Sequence, residues 1–208
     1  MKYLFVFILL IQLPTQAQSI NQSKALEAAV MQFNQTNSPS SYTQLFLKFE
    51  QLYSLDKTNW LIPYYAGMTR SIMCLLKMGD RDALANDALL WVGRAKSIMP
   101  NDEVYCAESL AYTAKMSVNP ALRWLAYEGK VKNALSLAKR LNPNNPRAYL
   151  LEANIQQKLP FIFGGGCKSA KPLIQKAELC FNVQTIGSSV EPSWGIQSLV
   201  KLKKACPF

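Results

Sequence analysis

The chain has 208 residues, 50% hydrophobic and 17% charged, with five cysteines, no histidine and a formal net charge of +10. Without histidine, a Ser-His-Asp triad, a Cys-His dyad and a histidine-ligated metal centre are all excluded. The length suits one domain able to bury roughly 70% of its unfolded surface, so the core needs no metal or disulfide to stand.

The first segment, Met1 to Ala17, carries Lys2, an apolar run from Tyr3 to Ile11 extended by Leu13, then Pro14 and the small-residue exit Thr15-Gln16-Ala17. This is the layout of a secretory signal peptide. The apolar run is shorter than the roughly 18 residues that cross a bilayer. Cleavage after Ala17 is expected to leave a single mature domain over 18–208, periplasmic or secreted. Removing residues 1–17 takes away Lys2 and no acid, so +10 becomes +9. The bases are dispersed along the chain, which reads as solvated helix surface with a bias toward acidic partners and not as a nucleic-acid footprint. No later stretch is apolar for long enough to span a membrane.

Beyond the leader, periodicity predicts helices near 22–36, 40–54, 58–77, 81–99, 102–117, 130–142, 146–158, 169–182 and 194–206, with room for a short one inside 120–128. Strand patterns are nearly absent. Three of these helices share one stripe: Ala88, Val92 and Ala95; Val131, Leu135 and Ala138; Ala170, Ile174 and Ala177. Offsets of 0, 4 and 7 fall on one helical face, and small residues there let a neighbouring helix approach closely. The first two stripes are followed five residues on by Pro100 and Pro143, then by polar residues suited to capping and by Tyr105 or Tyr149. An earlier, weaker copy is Phe46, Phe49 and Ser54 followed by Trp60.

Alanine, large apolar, alanine, proline, then an aromatic early in the next helix resembles the tetratricopeptide repeat (TPR), and over roughly residues 42–206 the chain resembles secreted TPR-like proteins of the Bacteroidetes. The resemblance implies an all-α, TPR-like helical-repeat solenoid of about four helix pairs plus a C-terminal capping helix. The period departs from the family: Ala88 to Val131 spans 43 positions and Val131 to Ala170 spans 39, against about 34 for a TPR. The additional residues are expected in turns, around Asn119–Gly129 and Leu159–Gly166.

In TPR-like stacks the first helix of each pair lines the concave surface, with its second, fifth, ninth and twelfth positions facing a ligand. Counting Trp60, Tyr105 and Tyr149 as fourth positions, the resemblance assigns Tyr65 and Met68, Leu110 and Thr113, then Arg147, Leu150, Asn154 and Gln157 to that surface. Such a mixture of apolar, amide and guanidinium groups suits a peptide or helix. The function implied is a non-catalytic protein-interaction scaffold for a protein or peptide partner, with no cofactor and no metal.

Two other sites compete with this reading. Gly164-Gly165-Gly166-Cys167-Lys168-Ser169 leads glycine-rich backbone into a helix, an arrangement that binds anions. It lacks the G-x-x-x-x-G-K-[S/T] spacing and the preceding strand of a nucleotide loop. Ser169 is expected to cap the helix and Pro172 to sit in its first turn, leaving Lys168 and Lys171 as contacts for an anionic envelope ligand or polysaccharide. Glu108 and Glu152 each follow a repeat tyrosine by three residues and could form an acid pair, but duplication of a packing position explains them equally. Among Cys74, Cys106, Cys167, Cys180 and Cys206, antiparallel packing of the last two helices favours Cys167 with Cys206 over Cys180 with Cys206. Cys74 and Cys106 lie in apolar helical patterns and read as buried.

Overall fold

The computed structural model describes residues 14–36 and 38–207. Residues 1–13, which hold most of the expected signal peptide, lie outside the described residues. The chain forms α1 (Pro14–Gln35), α2 (Pro39–Leu55), α3 (Leu61–Leu75), α4 (Arg81–Ile98), α5 (Asp102–Val118), α6 (Pro120–Leu141), α7 (Pro146–Lys158), a 3₁₀ turn (Phe161–Phe163), α8 (Cys167–Val183) and α9 (Ile196–Ala205). The described protein is all-α.

Short polar side chains start most of these helices. Ser38, Asp80, Asn101, Asn119 and Asn145 each accept a backbone N–H from the first turn, which satisfies donors that have no partner inside the helix. Proline opens α2, α6 and α7, where the missing N–H is harmless. One expected cap fails. α8 begins at Cys167 after Gly166, so Ser169 lies inside the helix and Pro172 sits beyond its first turn.

The largest departure from expectation is α6. Asn119 and Pro120 begin a helix that continues without interruption through Gly129 to Leu141. The additional residues of that repeat therefore extend a helix and do not form a turn. Arg123, on this extension, donates to both carboxylate oxygens of Asp82 at 2.7 and 3.0 Å, and Lys115 reaches the same carboxylate at 2.7 Å. These hydrogen bonds, Arg123 first, hold the Asp82 carboxyl well below the usual carboxylate range and fasten the start of α6 to α4 and α5.

Successive helices pack as hairpins, with α3 on α4, α5 on α6 and α7 on α8 making the most extensive contacts. The odd-numbered helices also touch in sequence, α1 to α3, α3 to α5, α5 to α7 and α7 to α9, whereas α4, α6 and α8 make no contact with one another. The stack therefore bends with the odd-numbered row inside. The three stripes of α4, α6 and α8 are buried throughout, none of their nine side chains being more than 2% exposed. Where α3 meets α4, a Cβ on Gly67 would lie 2.6 Å from Val92 Cγ2 and 3.0 Å from Val92 N. Gly67→Ala is accordingly expected to cost about 1–3 kcal/mol through overpacking; an unchanged midpoint in urea denaturation would show that the pair separates freely.

After α8 the helix-free segment 184–195 turns back across the odd-numbered row as a strap. Val190 O accepts from Tyr65 Oη at 3.1 Å, Ser193 Oγ accepts from Asn34 Nδ2 at 2.9 Å, and Ser189 bonds Glu27. Trp194 Nε1 donates to Tyr64 Oη at 2.8 Å. After α9, Cys206 is disulfide-bonded to Cys167 with a Cα–Cα distance of 5.2 Å, while Cys74, Cys106 and Cys180 are free and buried.

Candidate functional site: a groove along the inner row

The inner row leaves a long groove of about 1480 Å³. Its floor is built by α3, α5 and α7 through Met68, Ile72, Leu110, Thr113, Leu151 and Asn154. Helical spacing puts these side chains on one face of each helix, and the tight Gly67 contact keeps α3 pressed on α4 behind the floor. The N-terminal half of α6 overhangs one side with Trp124 and Leu125, and the 3₁₀ turn closes the other with Phe163. Leu125 is 93% exposed and Phe163 69%. Large apolar side chains held in solvent at the mouth of an apolar cavity are a feature of binding sites and not of ordinary surface.

Of the side chains assigned to the concave surface from sequence, Met68, Leu110, Thr113 and Asn154 meet in this groove. Tyr65, Arg147 and Leu150 do not, because the strap covers them. Tyr65 is fully buried, stacked 5.5 Å from Phe49 and edge-on to Phe33 at 5.1 Å. Gln157 is half-buried and outside the groove lining. Lys168 and Lys171 lie on the first turns of α8, also outside it.

Arg147 has a different role. Its guanidinium reaches Glu103 through Nε at 2.7 and 2.8 Å and through a terminal nitrogen at 2.6 Å. Glu103 also accepts from Asn145 Nδ2 at 2.6 Å and from Tyr64 Oη at 3.1 Å. Burial pushes the Glu103 carboxyl above its ordinary range against the opposing pull of Arg147. Arg147 further donates to Trp194 O at 3.5 Å and Gln184 Oε1 at 3.3 Å. The network thus joins α3, α5, α7 and the strap directly beneath Trp194, which lines the groove.

The repeated glutamates are also structural. Glu108 accepts from Lys96 at 2.8 Å and Glu152 from Lys139, each lysine coming from the preceding helix and each standing 5.0 Å over the ring of the repeat tyrosine, Tyr105 or Tyr149. Two copies of one Lys-Glu-Tyr arrangement explain the spacing without catalysis. Among the described residues no group of three or more Cys, Asp or Glu side chains is placed to hold a metal ion, and no helix is long and apolar enough to cross a membrane.

The stack of helices has a solved counterpart. The chain is similar to a haemophore. The structure of the HusA haemophore from Porphyromonas gingivalis matches with a TM-score of 0.80 at 28% sequence identity, over 89% of this chain and 92% of the haemophore. At that coverage the likeness to the haemophore extends along the whole stack and is not confined to one helix pair. No family model matches the chain, and no curated protein matches it.

The groove-lining side chains that the repeat count did not assign are those on the overhang and the strap: Trp124, Leu125, Phe163 and Trp194. A legible cue was present for two of them. Asn119-Pro120 is a strong helix start directly ahead of Trp124-Leu125, so an apolar pair on a solvent-facing helical extension was there to be read.

Proposed function

We propose that the protein is an exported, non-catalytic carrier of TPR-like architecture that holds a flat, largely apolar ligand of the tetrapyrrole class in the inner groove. The single observation that carries this reading is a groove of about 1480 Å³ with aromatic and aliphatic lips, in a fold similar along its whole length to that of a haemophore. Export after cleavage behind Ala17, with 18–208 as one domain, is part of the proposal and is supported by the layout of the first 17 residues.

The donor set shapes what binding means here. Haem iron is held in proteins by His, Cys, Met or Tyr. The groove offers only Met68, Met116 and Tyr42 of these types, both methionines are buried, and the Tyr42 hydroxyl already donates to Thr36 O at 3.2 Å. Affinity therefore comes from the macrocycle faces packed against apolar walls, with the metal contributing little. Haem and metal-free protoporphyrin are expected to bind within about tenfold of each other, read as quenching of tryptophan fluorescence, since Trp124 and Trp194 line the site. Failure of both to bind would end the carrier reading.

A protein or peptide partner is the second reading. It is favoured by the exposure of Leu122 and Ile162, 79% and 82%, close in sequence to the groove lips. Replacing both by serine separates the two readings: a carrier retains its ligand, whereas a docking face loses its partner.

A further inference from the structure

Five charged side chains line the groove: Glu128, Lys132, Glu152, Lys158 and Lys201. Both acids are answered, Glu128 by Lys132 and Glu152 by Lys139. Lys158 and Lys201 are exposed and make no hydrogen bond or ion pair among the described residues. The walls supplied by α1, α2, α3 and α5 carry no charged side chain at all. The groove is therefore polar in the electrical sense, uncharged toward α3 and α5 and cationic toward α9.

The cationic end is also the fixed end. Lys158 closes α7, and Lys201 lies five residues before Cys206, which the disulfide ties to the first residue of α8. Between them the chain turns tightly: Gly166 N donates to Gln156 O at 2.8 Å, and a Cβ on Gly165 would fall 2.1 Å from Leu159 O. Gln156, Gln197 and Ser198 line the same end with neutral hydrogen-bonding groups.

We propose that Lys158 and Lys201 receive the acid groups of the ligand, so that the groove takes amphiphilic carboxylic acids in one orientation, apolar body toward α3 and α5 and carboxylates toward α9. The inference rests on the carrier reading and specifies its ligand. Two exposed ammonium groups on the groove lining form charge-assisted hydrogen bonds with carboxylate, and a neutral analogue of the same shape forfeits them.

The test compares metal-free protoporphyrin, a diacid, with its dimethyl ester, each delivered from dimethyl sulfoxide. The proteins are the wild type, the double variant Lys158→Ala with Lys201→Ala, and a charge-matched control, Lys168→Ala with Lys204→Ala, altered outside the groove. Affinity for the diacid is expected to fall about tenfold in the groove variant and to stay at the wild-type level in the control, while the ester binds all three proteins equally. A groove variant within about twofold of wild type on the diacid, or a control that falls as far, would overturn the inference and leave the carrier reading intact. Wild-type protein that binds neither porphyrin would overturn the carrier reading and this inference with it.

Discussion

Arg147→Met is expected to lower the free energy of unfolding by about 3–5 kcal/mol, because it strands the Glu103 carboxylate in the interior without its counter-charge. The pair spans α5 and α7, and the Tyr64 and Trp194 bonds carry the disturbance to α3 and the strap. Adding Glu103→Gln to the same chain removes the buried charge while keeping an acceptor for Tyr64 and Asn145, so a large share of the loss is expected to return. Guanidinium unfolding followed by circular dichroism measures both. A single variant within about 1 kcal/mol of wild type would mean that water reaches Glu103 and that the network is not a buried one.

Thr113→Trp is expected to abolish most ligand binding, with affinity falling about a hundredfold, or about 2.8 kcal/mol. Thr113 lies on α5, the middle helix of the floor, and its hydroxyl is turned back to Ser109 O at 2.8 Å, so no other side chain depends on it. An indole at this position projects into open space and divides the groove without entering the core. The unfolding midpoint should accordingly stay at the wild-type value while the fluorescence titration loses its saturable phase. Retained affinity in a stably folded Thr113→Trp protein would place the ligand elsewhere on the molecule.

The sequence displayed the outer row of helices clearly because packing there is repetitive. Ala88, Ala95, Ala138, Ala170 and Ala177 recur where helices must touch, and close approach demands small side chains at fixed spacing. The one error of element, the turn expected around Asn119–Gly129, came from assigning the residues beyond the TPR period to a connection, and Gly129 does not break the helix. A Cβ on Gly129 would have nothing within 4 Å, and an exposed helix tolerates such a residue at a cost of about 1 kcal/mol relative to alanine. The concave positions were legible only where nothing covers the inner row, at Met68, Leu110, Thr113 and Asn154. Tyr65, Arg147 and Leu150 occupy equivalent places in the count, yet a strap without periodicity lies over them, and no repeat rule predicts where an irregular segment will settle. Pairings between distant positions, such as Tyr65 with Val190 or Asn34 with Ser193, leave no local pattern in a chain.

The strap also alters how the molecule must come apart. In a linear array of helix pairs each unit leans only on its neighbours, so the ends fray first and unfolding proceeds stepwise. Here residues 189–194 bind α1, α3 and α7 at once, which makes the segment after α8 a clasp on helices far from it in sequence. Neither end can loosen alone. The protein should therefore melt in one cooperative step, and a chain truncated before residue 189 would lack the piece that holds α1 and α3 in place.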